Sequence, residues 1–268
     1  MRSFSAKMII LGMIFPIYLT TAASNNQNAA IIDGKRAELG QFPWHVILRI
    51  NEFEDEIEVC GGSIISEKYV LTAAHCFYGP FYVELVFGTI ELKNNDTTMV
   101  SREVFVHPEF DKDTFRNDIA VIELPEELEF TDNIEPIQLV SSAQASNDFI
   151  GTEVIITGYG RTQGHVNKLS DWLLWASLEI VNNSVCDRAY NTPMRETEMC
   201  AIGLSGSDMS PCKGDSGGAL VWKQDNNTMV QIGIFSFLKG NCSEYPTGHT
   251  RVTKFLDFIH NITGLNFN

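Results

Sequence analysis

Past residue 30 the chain is a succession of short apolar stretches separated by clusters of Gly, Pro, Asn and Asp. Residues 45–50, 83–87, 119–124, 154–157, 219–222 and 231–237 are rich in Val, Ile and Phe and have strand length, so each predicts a β-strand. A sustained helical period occurs clearly once, near the end. There Thr253 is placed to cap a helix, Phe255, Leu256 and Ile259 fall on one face, and Gly264 can end it. Many strands without intervening helices predict antiparallel sandwiches or barrels rather than a parallel sheet covered by helices. No repeat of fixed period is present. Glu135-Pro136 and the polar stretch 141–148 read as a connection near the middle, which divides the chain into two β-units of similar size.

The first thirty residues follow another logic. Arg2 and Lys7 precede an apolar run over 8–19, and the small residues Thr21, Ala22 and Ala23 follow. That order describes a secretory signal peptide over 1–23. A membrane anchor is the poorer reading, because a dozen apolar residues interrupted by Pro16 fall short of a hydrocarbon core roughly 30 Å thick. Losing this segment removes two cations and no acid, so a chain already at −15 becomes more acidic. Such a surface repels phosphate backbones and anionic lipid, which disfavours nucleic-acid partners and, once the signal is removed, membrane partners. Glycine-rich phosphate loops, HExxH and CxxC are absent from the sequence.

Export makes the cysteines informative. Six of them (Cys60, Cys76, Cys186, Cys200, Cys212 and Cys242) predict three disulfides in an oxidising compartment, and spacing alone leaves all 15 pairings open. Sequons at Asn95, Asn182, Asn226, Asn241 and Asn261 fit a secreted glycoprotein, with Asn241 the poorest candidate because it adjoins Cys242.

Three segments carry chemistry. In Gly214-Asp215-Ser216-Gly217-Gly218 the glycines let backbone N–H groups approach a reacting carbonyl beside a serine. Serine is a weak nucleophile without a histidine base, and the base needs a carboxylate to orient it. Leu71-Thr72-Ala73-Ala74-His75-Cys76 offers a histidine flanked by small residues and a cysteine that can pin its loop. Asn117-Asp118 opens the apolar stretch 119–124, where a buried carboxylate demands partners. Gly214-x-Ser216-x-Gly218 also matches the nucleophile elbow of α/β-hydrolases. That fold needs alternating strands and helices with acid and histidine after the serine, and here only His249 and His260 follow.

His75, Asp118 and Ser216, in that order and each in its own signature, resemble the chymotrypsin/trypsin-like serine protease family from Ile31 to about Ile262. The resemblance implies an all-β fold of two six-stranded antiparallel β-barrels, with the active site in the cleft between them and a C-terminal helix. It implies a protease domain over 31–268, split into barrels over 31–138 and 139–268, behind a short propeptide over 24–30. Ser216 would be the nucleophile, His75 the general base and acid, and Asp118 the orienting carboxylate. The N–H groups of Gly214 and Ser216 would form the oxyanion hole, and Ser236 would support Asp118. By the same analogy the disulfides are Cys60–Cys76, Cys186–Cys200 and Cys212–Cys242. Ile31 resembles the new N-terminus of an activated protease, its ammonium pairing with Asp215. Most relatives have Arg or Lys before that cut, whereas Ala30 stands here, so the activator must accept a small residue.

Specificity is implied in the same way. Ser210 occupies the position where trypsin-like members carry an acid, and Leu238 and Thr247 replace wall glycines of deep-pocketed members. Together with Phe237 this resembles the elastase-like subgroup and predicts small or medium aliphatic residues before the scissile bond; a chymotrypsin-like preference for aromatic residues is the alternative. A calcium loop is not expected, since Thr89 follows Gly88 where relatives place the first acid, and Glu91 and Asp96 read as solvated surface acids. The implied protein is a secreted monomeric endopeptidase without cofactor or metal, acting on proteins or peptides and open to protein protease inhibitors. A non-catalytic homologue that only binds partners is the reading from another class, and the intact triad speaks against it.

Overall fold

Successive side chains of a strand point to opposite faces, and the stretch 174–181 shows the consequence: Leu174, Ala176, Leu178 and Ile180 are buried while the residues between them are half exposed. A computed structural model describes residues 31–51, 57–77, 82–161 and 167–268. The expected signal peptide and propeptide lie outside the described residues.

The first half forms β1 (Lys35–Arg36), β2 (His45–Asn51), β3 (Ile57–Ile64), β4 (Tyr69–Thr72), β5 (Tyr82–Phe87), β6 (Thr98–Ser101), β7 (Val104–Val106) and β8 (Ala120–Glu123). The second forms β9 (Gln138–Leu139), β10 (Glu153–Gly158), β11 (Leu174–Val181), α1 (Ser184–Tyr190), β12 (Glu198–Gly203), β13 (Ala219–Lys223), β14 (Met229–Phe237), β15 (Thr247–Arg251) and α2 (Leu256–Thr263). All six stretches expected to be strands are strands, with ends shifted by one or two residues.

Strands β6-β5-β2-β3-β4-β8-β7 form an antiparallel path that curls into a half-barrel. Its two ends meet at a corner: the Ser101 hydroxyl donates to the Glu123 carbonyl at 2.7 Å, and the Glu123 N–H donates to the Glu103 carbonyl at 2.9 Å. Strands β10, β11, β12, β15, β14 and β13 close into a six-stranded antiparallel barrel. β1 comes early in the chain yet adds to the second sheet, pairing Lys35 with Trp175 and Arg36 with Leu174. The Arg36 guanidinium lies 3.3 Å from the centre of the Trp172 ring and the Lys35 ammonium 5.0 Å from that of Trp175, so cation–π contacts reinforce this short strand.

Two features differ from expectation. Thr253 does not cap the last helix: it lies in a 3₁₀ turn over Val252–Lys254, and α2 begins after Phe255. Gly264 does end it, at φ +72°, donating its N–H to the His260 carbonyl at 2.8 Å. A second helix, α1, precedes β12. Seven residues with one fully buried side chain, Cys186, are too short for a helical period to show, and the Cys186–Cys200 bond ties the helix to β12.

Both hydrophobic units pack against each other through polar links. The Ser63 hydroxyl donates to Gln231 Oε1 at 2.7 Å, and His45 Nδ1 lies 2.9 Å from Thr157 Oγ1. The Gly61 N–H donates to the Ser216 carbonyl at 2.7 Å. The cleft between the sheets receives residues from both.

Candidate active site

His75 sits in a 3₁₀ turn, Ala74–Cys76, directly after β4. The turn is held by the buried Ala73 and Ala74 and by the Cys60–Cys76 disulfide to β3. Asp118 lies just before β8 and is buried. Both Phe115 and Asn117 take left-handed backbone, each at φ +53°, and the chain turns there to aim the carboxylate at the histidine.

Asp118 Oδ2 lies 2.7 Å from His75 Nδ1, and Oδ1 accepts the His75 backbone N–H at 2.8 Å. The Ser236 hydroxyl donates to Oδ2 as well, and the Thr250 hydroxyl donates to the Asp118 carbonyl at 2.8 Å. A buried carboxylate is costly unless its lone pairs are occupied, and here three donors occupy them. Two of the supports, Ser236 on β14 and Thr250 on β15, reach across from the second sheet. A register irregularity in β14 between Phe235 and Phe237 accompanies the turn of Ser236 toward Asp118.

The segment 210–218 carries the remaining groups. The Asp215 N–H donates to the Cys212 carbonyl at 3.0 Å and the Gly218 N–H to the Asp215 carbonyl at 3.0 Å, which makes two tight turns around Ser216. Gly214 has φ +100° and Gly217 φ +80°. A Cβ on Gly217 would overlap Thr72 Oγ1 and the Gly61 carbonyl and come within 3.1 Å of the Ala73 nitrogen, so only glycine lets this loop seat beside the strand that leads to His75.

Asp215 is fully buried and accepts N–H groups from Gly160 at 2.6 Å and Cys212 at 2.8 Å. Burial pushes its pKa up to about 7 against the pull of those two donors. Space for the carboxylate exists because Gly158 and Gly160 lack side chains; a Cβ on either would overlap it. Ile31 is fully buried, and Ile32 exchanges hydrogen bonds with Ser210 at 3.0 and 3.3 Å, so the residues after Ala30 lie along the segment that bears Asp215.

The residues expected to shape specificity separate into two places. Ser210 and Thr247 line one cavity of about 270 Å³ with Met209 and Pro246. The Ser210 hydroxyl donates to the Cys242 carbonyl at 2.5 Å. Leu238 instead lines a larger cavity of about 610 Å³ with Phe115, Tyr190, Met194 and Phe237. The Phe115 ring packs 5.1 Å from that of His75, and Phe237 lies 6.5 Å from Phe115 and 5.4 Å from Tyr190, so an aromatic trough starts at the imidazole. The three disulfides pair as the resemblance implies. Asn95, Asn182, Asn226, Asn241 and Asn261 are all exposed, and Asn241 Nδ2 is already donated to Glu244 Oε1 at 2.7 Å. Glu91 and Asp96 are engaged in local turns with Thr89 and Asn94. Among the described residues no cluster of His, Cys, Asp and Glu could hold a metal ion, and no helix is long and apolar enough to cross a membrane.

Sequence reasoning passed over Thr250, Phe115 and the Gly158/Gly160 pair. Only the last leaves a visible mark, two glycines flanking one tyrosine.

A histidine–aspartate pair buried between two β-sheets beside a glycine-flanked serine defines a serine hydrolase site of the two-barrel type. The trypsin family model matches residues 31–259, and the chain belongs to that family. It is 32% identical over 265 residues to a collagenase of Hypoderma lineatum, covering 95% of this chain and 98% of that one. It is 33% identical to a venom protease of Bombus pensylvanicus over 85% of this chain and 96% of that one. Brachyurin of Leptuca pugilator is 33% identical over 88% of this chain and 99% of that one. A solved structure of HL collagenase superposes with a TM-score of 0.78 at 33% identity, covering 88% of this chain and all of that one. The protein is a trypsin-family serine endopeptidase with the chymotrypsin fold, acting on protein or peptide substrates.

Proposed function

We propose that the protein is a secreted endopeptidase, made as a zymogen, that cleaves after small or medium aliphatic residues through His75, Asp118 and Ser216. The observation that carries the catalytic reading is the saturated Asp118 carboxylate 2.7 Å from His75 Nδ1. Ser216 Oγ attacks the scissile carbonyl carbon while its proton passes to His75 Nε2, and Asp118 stabilises the resulting imidazolium. The N–H groups of Gly214 and Ser216 receive the oxyanion; a donor of this kind is typically worth about 10²–10³ in rate. His75 returns the proton to the leaving amine. Water then attacks the acyl-enzyme by the same route and frees Ser216.

Specificity is read from Ser210, which offers no charge to a basic side chain, and from Leu238 and Thr247, whose side chains fill space. Activation is cleavage between Ala30 and Ile31, after which the new ammonium enters beside Asp215. The burial of Ile31 and the unusual affinity of Asp215 for a proton support this. Residues 1–23 direct secretion, 24–30 form the propeptide, and the barrels divide at 138. The exposed sequons accept glycans, Asn241 least readily. The enzyme acts as a monomer, and protein protease inhibitors would fill the same cleft.

The test uses protein starting at Ile31 on a peptide library varied before the scissile bond, with Ser216→Ala as control. Cleavage after Ala and Val is expected, with the control silent and unlabelled by a fluorophosphonate. Cleavage after Phe and Tyr would assign chymotrypsin-like specificity. An intact protein without Ser216-dependent cleavage would be a binding homologue.

A further inference from the structure

β15 carries a histidine that this mechanism leaves unused. His249 is fully buried inside the second barrel, registered opposite Met199 on β12 and Phe235 on β14, with the Phe235 ring 5.5 Å away. Its Nε2 lies 2.9 Å from Thr247 Oγ1, and its Nδ1 is buried without a partner among the described residues. Thr247 Oγ1 also lies 3.3 Å from the Ala201 carbonyl, which can only accept.

One arrangement of protons fits these contacts. A hydroxyl has a single proton, and Thr247 gives it to Ala201, so Thr247 receives its second hydrogen bond from His249 Nε2–H. The other tautomer would place an N–H at Nδ1 with no described protein group to receive it, which costs more than an idle lone pair there. Desolvation lowers the His249 pKa to about 3, which keeps the ring neutral at ordinary pH. Donation therefore runs from His249 through Thr247 to the β12 backbone.

Threonine is stiff at χ1, and two hydrogen bonds on one oxygen hold a single rotamer. The hydroxyl is thereby spent inside the barrel wall. Ser210, which lines the same cavity, spends its own proton on the Cys242 carbonyl. The geometry points to His249 as a positioning residue for specificity: by fixing the Thr247 hydroxyl it keeps that proton turned away from the pocket, so that a hydroxylated substrate side chain meets no hydroxyl donor there and valine is accepted over the isosteric threonine before the scissile bond. This rests on the reading of Ser210 and Thr247 as pocket residues.

Two peptides differing only in Val or Thr before the scissile bond test it, with enzyme counted by active-site titration so that misfolded protein drops out. The ratio of kcat/KM should favour Val, up to the roughly 10²-fold that an apolar pocket achieves against an added hydroxyl. H249F frees Thr247 and should lower the ratio several-fold. H249Q keeps a donor and should restore it, and in a T247V background H249F should have no effect. An unchanged ratio in H249F, while T247G still shifts the overall cleavage profile, overturns the positioning role and spares the pocket reading. A profile indifferent to T247G overturns the pocket reading itself. Nitrogen NMR of the inhibited wild-type enzyme needs no variant: His249 protonated at Nε2 is expected, and protonation at Nδ1 overturns the inference.

Discussion

Asp215 and Asp118 are both buried carboxylates, and their surroundings give them different properties. Asp118 is matched by three donors, one of them a hydroxyl aimed from the opposite sheet. Asp215 has two backbone donors, and in the uncut chain burial raises its pKa from 3.8 to about 7. An acid whose folded pKa exceeds its unfolded value binds more protons when folded, so the stability that Asp215 contributes to the precursor is fully present below pH 4. That contribution is lost as pH rises from about 4 to about 7 and stays level beyond. The difference in denaturation midpoint between the precursor and its Asp215→Asn variant should shift across this range by that contribution. In protein cleaved before Ile31 the new ammonium favours the ionised carboxyl, and the shift should disappear. The contact between His75 and Asp118 was legible because each residue stands in its own motif. Thr250 was not, because a threonine that reaches a carbonyl 132 positions away in sequence leaves no local pattern.

At the scale of elements, strands dense in Val, Ile and Phe announced themselves, as in β2, β5 and β14. β12 and β15 did not. β15 buries three polar side chains, Thr247, His249 and Thr250, so its sequence lacks the apolar signature of a core strand. Closure of the second barrel depends on this strand, which pairs with both β12 and β14. α2 illustrates the opposite case, a helix whose end is written locally. Gly264 has φ +72° and open space where a Cβ would stand, so the cost of a side chain there is purely conformational. Gly264→Ala should lower stability by about 1 kcal/mol, a shift of roughly 2–4 °C in Tm for a domain of this size, without altering activity. Thermal unfolding of the inhibited protein would measure it.

At the scale of the molecule, neither sheet owns the site. On the proposed reading the first supplies His75 and Asp118, the second supplies Ser216, Ser236 and Thr250, and polar contacts hold the two in register. The contact between Ser63 and Gln231 is fully buried. Ser63→Ala leaves the Gln231 carbonyl oxygen without its short partner and should destabilise the fold by about 1–3 kcal/mol. Each correctly folded molecule, counted by titration of Ser216, should keep its activity, because the contact lies away from the reacting groups. The two-unit organisation was readable from strand composition and the connection near the middle. That β1 would cross to the second sheet was not, since two residues carry no periodicity.

That crossing strand bears on how fast the proposed activation would proceed. Lys35 and Arg36, clasped on Trp175 and Trp172, begin four residues beyond Ile31. A chain end released by cleavage before Ile31 is therefore on a leash of a few residues whose far end is anchored to the barrel that bears Asp215. Its docking is an intramolecular event at an effective concentration set by the leash, on the order of millimolar for short linkers. Once the bond is cut, the approach to full activity should follow first-order kinetics at a rate independent of how dilute the protein has become.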